Sequence, residues 1–345
     1  MCVILELRKR KFTKITEVQL VDMSNNLFPV PISFHIFNRP ETTLKVFEKI
    51  RNIKPSKLFI TADGPRKNVE GDNEKCREVR SIVDEIDWEC EVFTNFSESN
   101  KGSYKSTLEG ITWVFEHVAL AIILEDDCIP HQSFFRFCHE LLYFYENDER
   151  IALISGNNFL FGKHKMPYSY YFSRYTHMWG WATWKRTWDQ VDFAMINWPE
   201  FRDMGGLELI FKRKYEITYW QEIMQQMYDG KKGPHWDYLL LLSMYMNNAL
   251  VIRSSVNLIY NTGYGVGSTH FEIKSIMHEI ETKDMIFPLT HPPFICKHLV
   301  ADELVDSYEF SGGYSKYIIN KIISLLPKVI ISFLKKIRNK YHSMF

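Results

Sequence analysis

Residues 29–66 read PVPISFHIFNRPETTLKVFEKIRNIKPSKLFITADGPR, and the order of elements in this stretch decides the fold. Ile32 to Phe37 is a β-rich run broken by Asn38-Arg39-Pro40. Thr42 to Ile53 carries helical periodicity, with Leu44, Phe47 and Ile50 roughly on one face. Leu58 to Thr61 is a second strand, ended by the turn residues Asp63-Gly64-Pro65. A strand, a helix and a strand in so short a span make the unit of a parallel sheet with right-handed crossovers.

The pattern continues outward. A charged helix is expected over 70–86, a short third strand over Glu91–Thr94, and a helix over 103–117 after the polar loop FSESNKGS. A fourth strand, Ala121–Leu124, runs directly into Glu125, Asp126 and Asp127. The fold class expected is α/β, a mainly parallel sheet flanked by helices. In such sheets ligands bind beyond the carboxyl ends of the strands. Asn38, Asp63, Asn100 and the acidic triplet all fall at those ends, so they are predicted to converge on one cleft. No GxGxxG follows the first strand and no GxxxxGK[ST] occurs, which argues against a dinucleotide-binding or P-loop site.

Composition narrows the function further. The 345 residues suffice for one large domain or two ordinary ones. With 42 Lys+Arg against 42 Asp+Glu, no overall charge points to a nucleic-acid partner. The six cysteines occur singly, without CxxC spacing, which argues against zinc or a disulfide framework and favours a reducing compartment. Neither a signal peptide nor a conventional membrane span is expected. An aromatic share of 15% suits either a Trp- and Tyr-rich core or a cleft that stacks sugar rings.

Three adjacent carboxylates behind a buried strand repel one another and are costly to desolvate. Hard divalent cations such as Mg2+ or Mn2+ prefer carboxylate oxygen and keep positions for water or phosphate. A bound cation would remove the repulsion and neutralise a diphosphate leaving group. The alternative is a solvated turn that caps the helical run from Ser133.

The motif ILEDD resembles the acidic metal motif of GT-A nucleotide-sugar transferases, particularly the N-acetylglucosaminyltransferase I type. FNRP, ADGPR, SNKG, SGNNF, SYYFSRYTHMWGWATWKRTW and HWDY, in this order over about residues 29–272, closely resemble bacterial family 2 glycosyltransferase-like proteins, some labelled "hemolytic protein-like". The resemblance implies a Rossmann-like GT-A domain over 29–275, with a nucleotide-binding half (29–130) and an α+β acceptor half (131–275). It implies Asp127 as the main metal ligand, and Asp126 and Glu125 at the ribose or holding the site from behind. Asp63 would accept a hydrogen bond from the base, or simply form an Asx turn. Arg39 and Arg66 would pair with phosphate, or be solvated loop cations. Asn100-Lys101-Gly102 would bring backbone and an ammonium group to the nucleotide; Asn38 belongs to the same donor side.

In the second half, Trp179, Trp181, Trp184 and Trp188 crowd around Gly180. Trp181, Trp184 and Trp188 sit at helical spacing and read as core, whereas the likeness places Trp179 and Gly180 beside the donor sugar and acceptor. HWDYLLLLSMYM, from residue 235, puts Trp236 and Asp237 at the start of an apolar helix. Asp237 is either an acid stabilised by the helix dipole or the general base of an inverting transfer, with Trp236 on the acceptor side. The loop with Gly263, Gly265 and Gly267 leads to His270, which matches the late metal ligand of GT-A enzymes. Residues 1–28 are read as an extension, and 276–315 as a second one. From Lys316 to Phe345 there are seven Lys/Arg and no acid, the pattern of a basic amphipathic helix for an anionic leaflet, or of a helix docked on the core or in a homodimer.

The function expected is a metal-dependent inverting glycosyltransferase, with Mn2+ or Mg2+, a nucleotide-sugar donor (UDP favoured) and a glycan or lipid-linked acceptor. It would be cytoplasmic, peripheral on the inner face of the membrane. The rivals are a sugar nucleotidyltransferase, for which the Gly-rich GxGxR loop is missing, and a non-catalytic membrane-active protein.

Overall fold

The computed structural model describes residues 27–263 and 279–310, together with Ile318 and Ile322. The remainder of the expected tail helix, His270, Gly265 and Gly267 lie outside the described residues. Two compact units are formed: Met1–Ile196 with Gly233–His298, and Asn197–Lys232 with Leu299–Phe345.

The first unit carries eight strands in one sheet. They are β1 (Ile32–Ile36), β2 (Lys57–Ala62), β3 (Glu91–Phe96), β4 (Leu120–Glu125), β6 (Ile151–Ser155), β7 (Tyr170–Ser173), β8 (Trp181–Trp184) and β9 (Leu250–Ser254). Their order is β3-β2-β1-β4-β8-β6-β9-β7. Two short strands, β5 (Cys128–Pro130) and β10 (Ile259–Asn261), pair antiparallel beside it.

The half that the sequence patterns most clearly, β3-β2-β1-β4, is parallel throughout. Beyond β4 the sheet is mixed: β8 runs antiparallel to β4 and β6, and β7 antiparallel to β9, with only β6 and β9 parallel. The expected parallel sheet is thus met by six strands that share one direction, and β7 and β8, running against them, make it mixed. Parallel neighbours need a crossover of a dozen or more residues, usually a helix. No helix separates β6 from β7 or β7 from β8.

The tryptophan block is corrected. Trp181 and Trp184 sit on a strand, not a helix, and only residues Lys185–Trp188 turn helical. Pairing on both edges, with β4 and β6, overrides the suggestive spacing. All three tryptophans are buried, as a core assignment requires.

Helices α1 (Pro40–Arg51), α2 (Asp72–Arg80), α3 (Ser103–His117) and α4 (Gln132–Phe144) follow β1, β2, β3 and β5. Pro at the first turn starts α1, whose buried face is Thr43, Val46, Phe47 and Ile50. Leu44, expected on that face, is 49% exposed, because positions 43, 46, 47 and 50 hold the tighter i, i+3, i+4, i+7 stripe. Strand alternation divides the core. Ile122 and Leu124 of β4 pack in a cluster with α1 and α4 residues, whereas Ala121 and Ile123 join Ile111, Val114 and Phe115 of α3. Leu240 and Met244 join the second cluster from the apolar helix Trp236–Met246.

His35 points to the α3 side. A Cβ added to Gly110 of α3 would stand 2.9 Å from the His35 ring and 2.7 Å from Thr61. Burial pushes His35 down to about 4, and its Nε2 lies 2.8 Å from Ser33 Oγ. Between that value and the ordinary 6.5 the unfolded chain binds the proton more tightly, so acid destabilises the fold through this group. Relative to a His35→Gln variant, wild-type stability is expected to be level above about pH 6.5 and to fall by about 3 kcal/mol toward pH 4. Urea unfolding of the two proteins across pH checks this. Glu125 and Asp126 contribute with the opposite sign, but both proteins share them, so they cancel in the difference.

The second unit is helical in its described part. Trp198 and Trp220 are fully buried in it. Phe211 and Phe310 pack on the Trp220 ring, and Arg213 pairs with Glu303. No helix among the described residues is long and apolar enough to cross a membrane.

Candidate active site

β1 has β2 on one edge and β4 on the other, so chain order reverses between β1 and β4. Their carboxyl ends therefore flank the crevice where open α/β sheets bind ligands. Phe37, Asn38 and Arg39 leave β1 there, and Glu125, Asp126 and Asp127 end β4.

A cation already stands among the acids, and it comes from the chain. Arg39 Nη1 donates to Asp126 Oδ1 at 2.9 Å and to Asp127 Oδ2 at 2.7 Å. The Phe37 backbone N–H donates to the second Asp126 oxygen at 2.9 Å. Asp126 and Asp127 are buried, with 4% and 8% exposure. Burial raises Glu125 well above the usual carboxylate range, with repulsion from Asp127 and Asp126 adding to it. Burial also raises Asp126, outweighing the opposing pull of Arg39.

Asp127 is fixed from its other side by β10. Thr262 N–H donates to its backbone oxygen at 2.9 Å, and Asn261 Nδ2 lies 3.4 Å from Oδ1. A Cβ on Gly263 would fall 2.1 Å from Asp127 Oδ2, so only glycine allows the loop to pass this close. Sequence reasoning took Gly263 for loop flexibility and missed Asn261 and Thr262. The signal was there: Asn-Thr-Gly directly after the apolar run Leu258–Tyr260 is a strand end followed by a turn.

Asp63 accepts four hydrogen bonds: Gly64 N–H at 2.8 Å and Lys101 N–H at 2.8 Å on Oδ1, Asn100 Nδ2 at 2.9 Å and Gly102 N–H at 3.0 Å on Oδ2. Its first role is thus to lock the 100–102 loop onto the end of β2, an Asx turn that also takes in Asn100, Lys101 and Gly102. The Lys101 ammonium points along α3 to Glu109, at 2.8 Å.

Arg66 and Arg39, both expected at phosphate, are committed to carboxylates in this structure. Arg66 forks onto Asp72, with Nε at 3.1 Å and Nη2 at 2.8 Å, and Asn38 Nδ2 donates to the same carboxylate. Hydrogen bonds from Arg66 hold Asp72 far below the usual carboxylate range. Asp72 is 2% exposed, and nothing in the charged stretch around it marked it as a site residue.

Asp237 lies in the first turn of Trp236–Met246, half-buried, and its charge contributes to the field that holds Glu125 up. Asp237, more than a hundred residues on in the chain, is thus near enough for its charge to be felt at Glu125. Trp236 stacks on Trp181, with centroids 5.8 Å apart at 21°. Trp179, half-buried, packs edge-on against Phe159 at 5.4 Å and His177 at 4.7 Å. Gly180 has φ +73°, and a Cβ there would meet Ile259 at 2.4 Å, so it places Trp179 and Trp181 and offers no surface of its own.

Among the described residues, no group of three or more His, Cys, Asp or Glu is arranged to hold a metal ion. The donor set nevertheless suits a hard cation in kind: oxygens of two adjacent carboxylates converge on one positive nitrogen.

No family model matches the chain, and no curated protein matches it. Among solved structures it is similar to mannosyltransferase PcManGT from Pyrobaculum calidifontis, in complex with GDP-Man and Mn2+. The identity is 9%, the TM-score 0.30, and the match covers 55% of this chain. It spans 57% of that structure's length, less than two thirds.

Proposed function

We propose that the protein is a divalent-cation-dependent, inverting glycosyltransferase that moves a sugar from a nucleotide diphosphate, UDP favoured, to a glycan or lipid-linked acceptor. The observation that supports this best is the convergence of Asp126 and Asp127 on a single cationic point at the β1/β4 crevice, with a third carboxylate, Asp237, in electrostatic reach.

Asp127 and Asp126 would hold the cation, with His270 as a further ligand. When bound, it supplies charge neutralisation for the departing diphosphate. The chain's own residues do the rest. The loop locked by Asp63 forms the wall for the nucleotide, and Arg39, once released from the acids, is placed to pair with phosphate. Asp237 takes the proton of the acceptor hydroxyl as its oxygen bonds to the anomeric carbon and the bond from that carbon to the diphosphate oxygen breaks. Trp236 and Trp179 offer partly exposed indole faces to sugar C–H groups. The basic segment 316–345 would hold the enzyme at the cytoplasmic leaflet beside a lipid-linked acceptor.

Because Arg39 and the divalent ion compete for the same oxygens, Arg39→Met is expected to bind Mn2+ about tenfold more tightly than wild type without nucleotide. Titration calorimetry reads this directly; equal or weaker affinity would contradict the competition. For the function itself, a thermal-shift screen of UDP- and GDP-sugars with and without Mn2+ should single out one donor that stabilises only with the metal. Absence of any metal-dependent donor shift would overturn the proposal.

A further inference from the structure

Arg253, near the end of β9, has no solvent exposure. Its Nε, Nη1 and Nη2 are all enclosed and have no hydrogen-bond partner among the described residues. A guanidinium cannot shed its charge, and a buried charge persists only when a counter-charge is supplied. The Phe159 ring, 5.6 Å from the guanidinium carbon, gives a cation–π contact but accepts none of the five N–H donors.

A second orphan lies at the same crossing. Arg253 is in register with Ser155 of β6, and Asn157 follows two residues later. Asn157 is fully buried, and both its Nδ2 and Oδ1 are without partners among the described residues. Asn158 ties this turn to the end of β9 through Ser254 O at 2.9 Å and to Asn257 Oδ1 at 3.2 Å. The segment is therefore held in place while the Asn157 side chain is left unmatched.

We propose that Arg253 and Asn157 form an oxyanion subsite whose occupant is the carboxylate or phosphate of an acidic sugar. The planar guanidinium suits a two-pronged oxyanion, and an amide with a free donor and a free acceptor suits a neighbouring hydroxyl. Phe159 continues into His177 at 4.2 Å and Trp179 at 5.4 Å, both half-buried, an aromatic surface suited to a sugar ring. Ile123, Trp181, Ser155 and Arg253 are register partners across β4, β8, β6 and β9. Three strand spacings set the Arg253 backbone about 14 Å to the side of β4. The register places Arg253 on the sheet face that carries Glu125, three strands away from it. This inference stands on Arg253 and Asn157 and does not require transfer chemistry.

The test is thermal unfolding of the full chain in an anion-poor buffer, with glucuronate, glucose or inorganic phosphate added. At a hundred times the dissociation constant, glucuronate is expected to raise the wild-type Tm by about 3 °C or more, with glucose inert and phosphate weaker. Arg253→Met should lose that rise and, without added anion, melt no lower than wild type, because an unpaired buried charge has been removed. Equal shifts from phosphate and glucuronate would overturn the assignment to a sugar and leave a free oxyanion. No shift with either, or a rise that persists in Arg253→Met, would overturn the subsite. Should Arg253→Met fail to fold, the wild-type titrations still decide, and Arg253→Lys is expected to weaken the glucuronate effect by losing the fork.

Discussion

Replacing Asp237 with asparagine is expected to slow sugar transfer by roughly a hundredfold or more, the range for losing a positioned general base. Donor and cation affinity should stay near wild type, since Asp126 and Asp127 converge on the Arg39 cation without it. The amide is nearly isosteric, and the first turn of Trp236–Met246 has no side-chain cap from His235 to lose. One further change is expected at the triplet. Removing the Asp237 charge takes away one cause of the raised Glu125 carboxyl, which should titrate lower in the variant. Kinetics and isothermal titration together check the prediction. Transfer that survives intact would make Asp237 a helix-start acid, and donor binding that collapses would move it to the nucleotide side.

The second large effect is on stability. Asp63→Ala should cost about 3 kcal/mol, because Gly64 N–H, Lys101 N–H, Gly102 N–H and the Asn100 amide lose a common charged acceptor. Asp63 is 6% exposed, so water can replace the carboxylate only if the 100–102 loop lifts from β2. Donor affinity should fall along with stability. Chemical denaturation separates this from a purely nucleotide-contacting role, for which affinity would drop while the midpoint stayed fixed.

These two residues show what the sequence makes legible. Alternation of short β-rich runs with helical periodicity placed β1 to β4, and the rule about carboxyl ends put Asn38, Asp63, Asn100 and the triplet at the strand ends where they are found. Asp237 was expected as a base on chemical grounds alone, and what the structure adds is its half-buried place in the first turn of Trp236–Met246 and its charge in the field at Glu125. What escaped has a common physical cause: pairings set by tertiary contact leave no local pattern. Arg39 sits beside Pro40 as any turn cation would, and nothing in its neighbours tells that Asp126 and Asp127, nearly ninety residues on, will take it up. The Arg66 fork onto Asp72 is hidden the same way. In the second half, Trp181–Trp184 carries too few residues to tell strand from helix by period, and pairing with β4 and β6 decided it. Arg253 looks like a strand residue with an outward charge, and only its burial reveals otherwise.

The most direct test of the central claim is release of nucleoside diphosphate from a panel of nucleotide sugars, measured with Mn2+, with Mg2+ and with a chelator. The account predicts release from one donor class, dependent on the divalent ion, lost in Asp127→Asn and stimulated by the correct acceptor. No release from any donor, or release unaffected by the chelator and by Asp127→Asn, would contradict it.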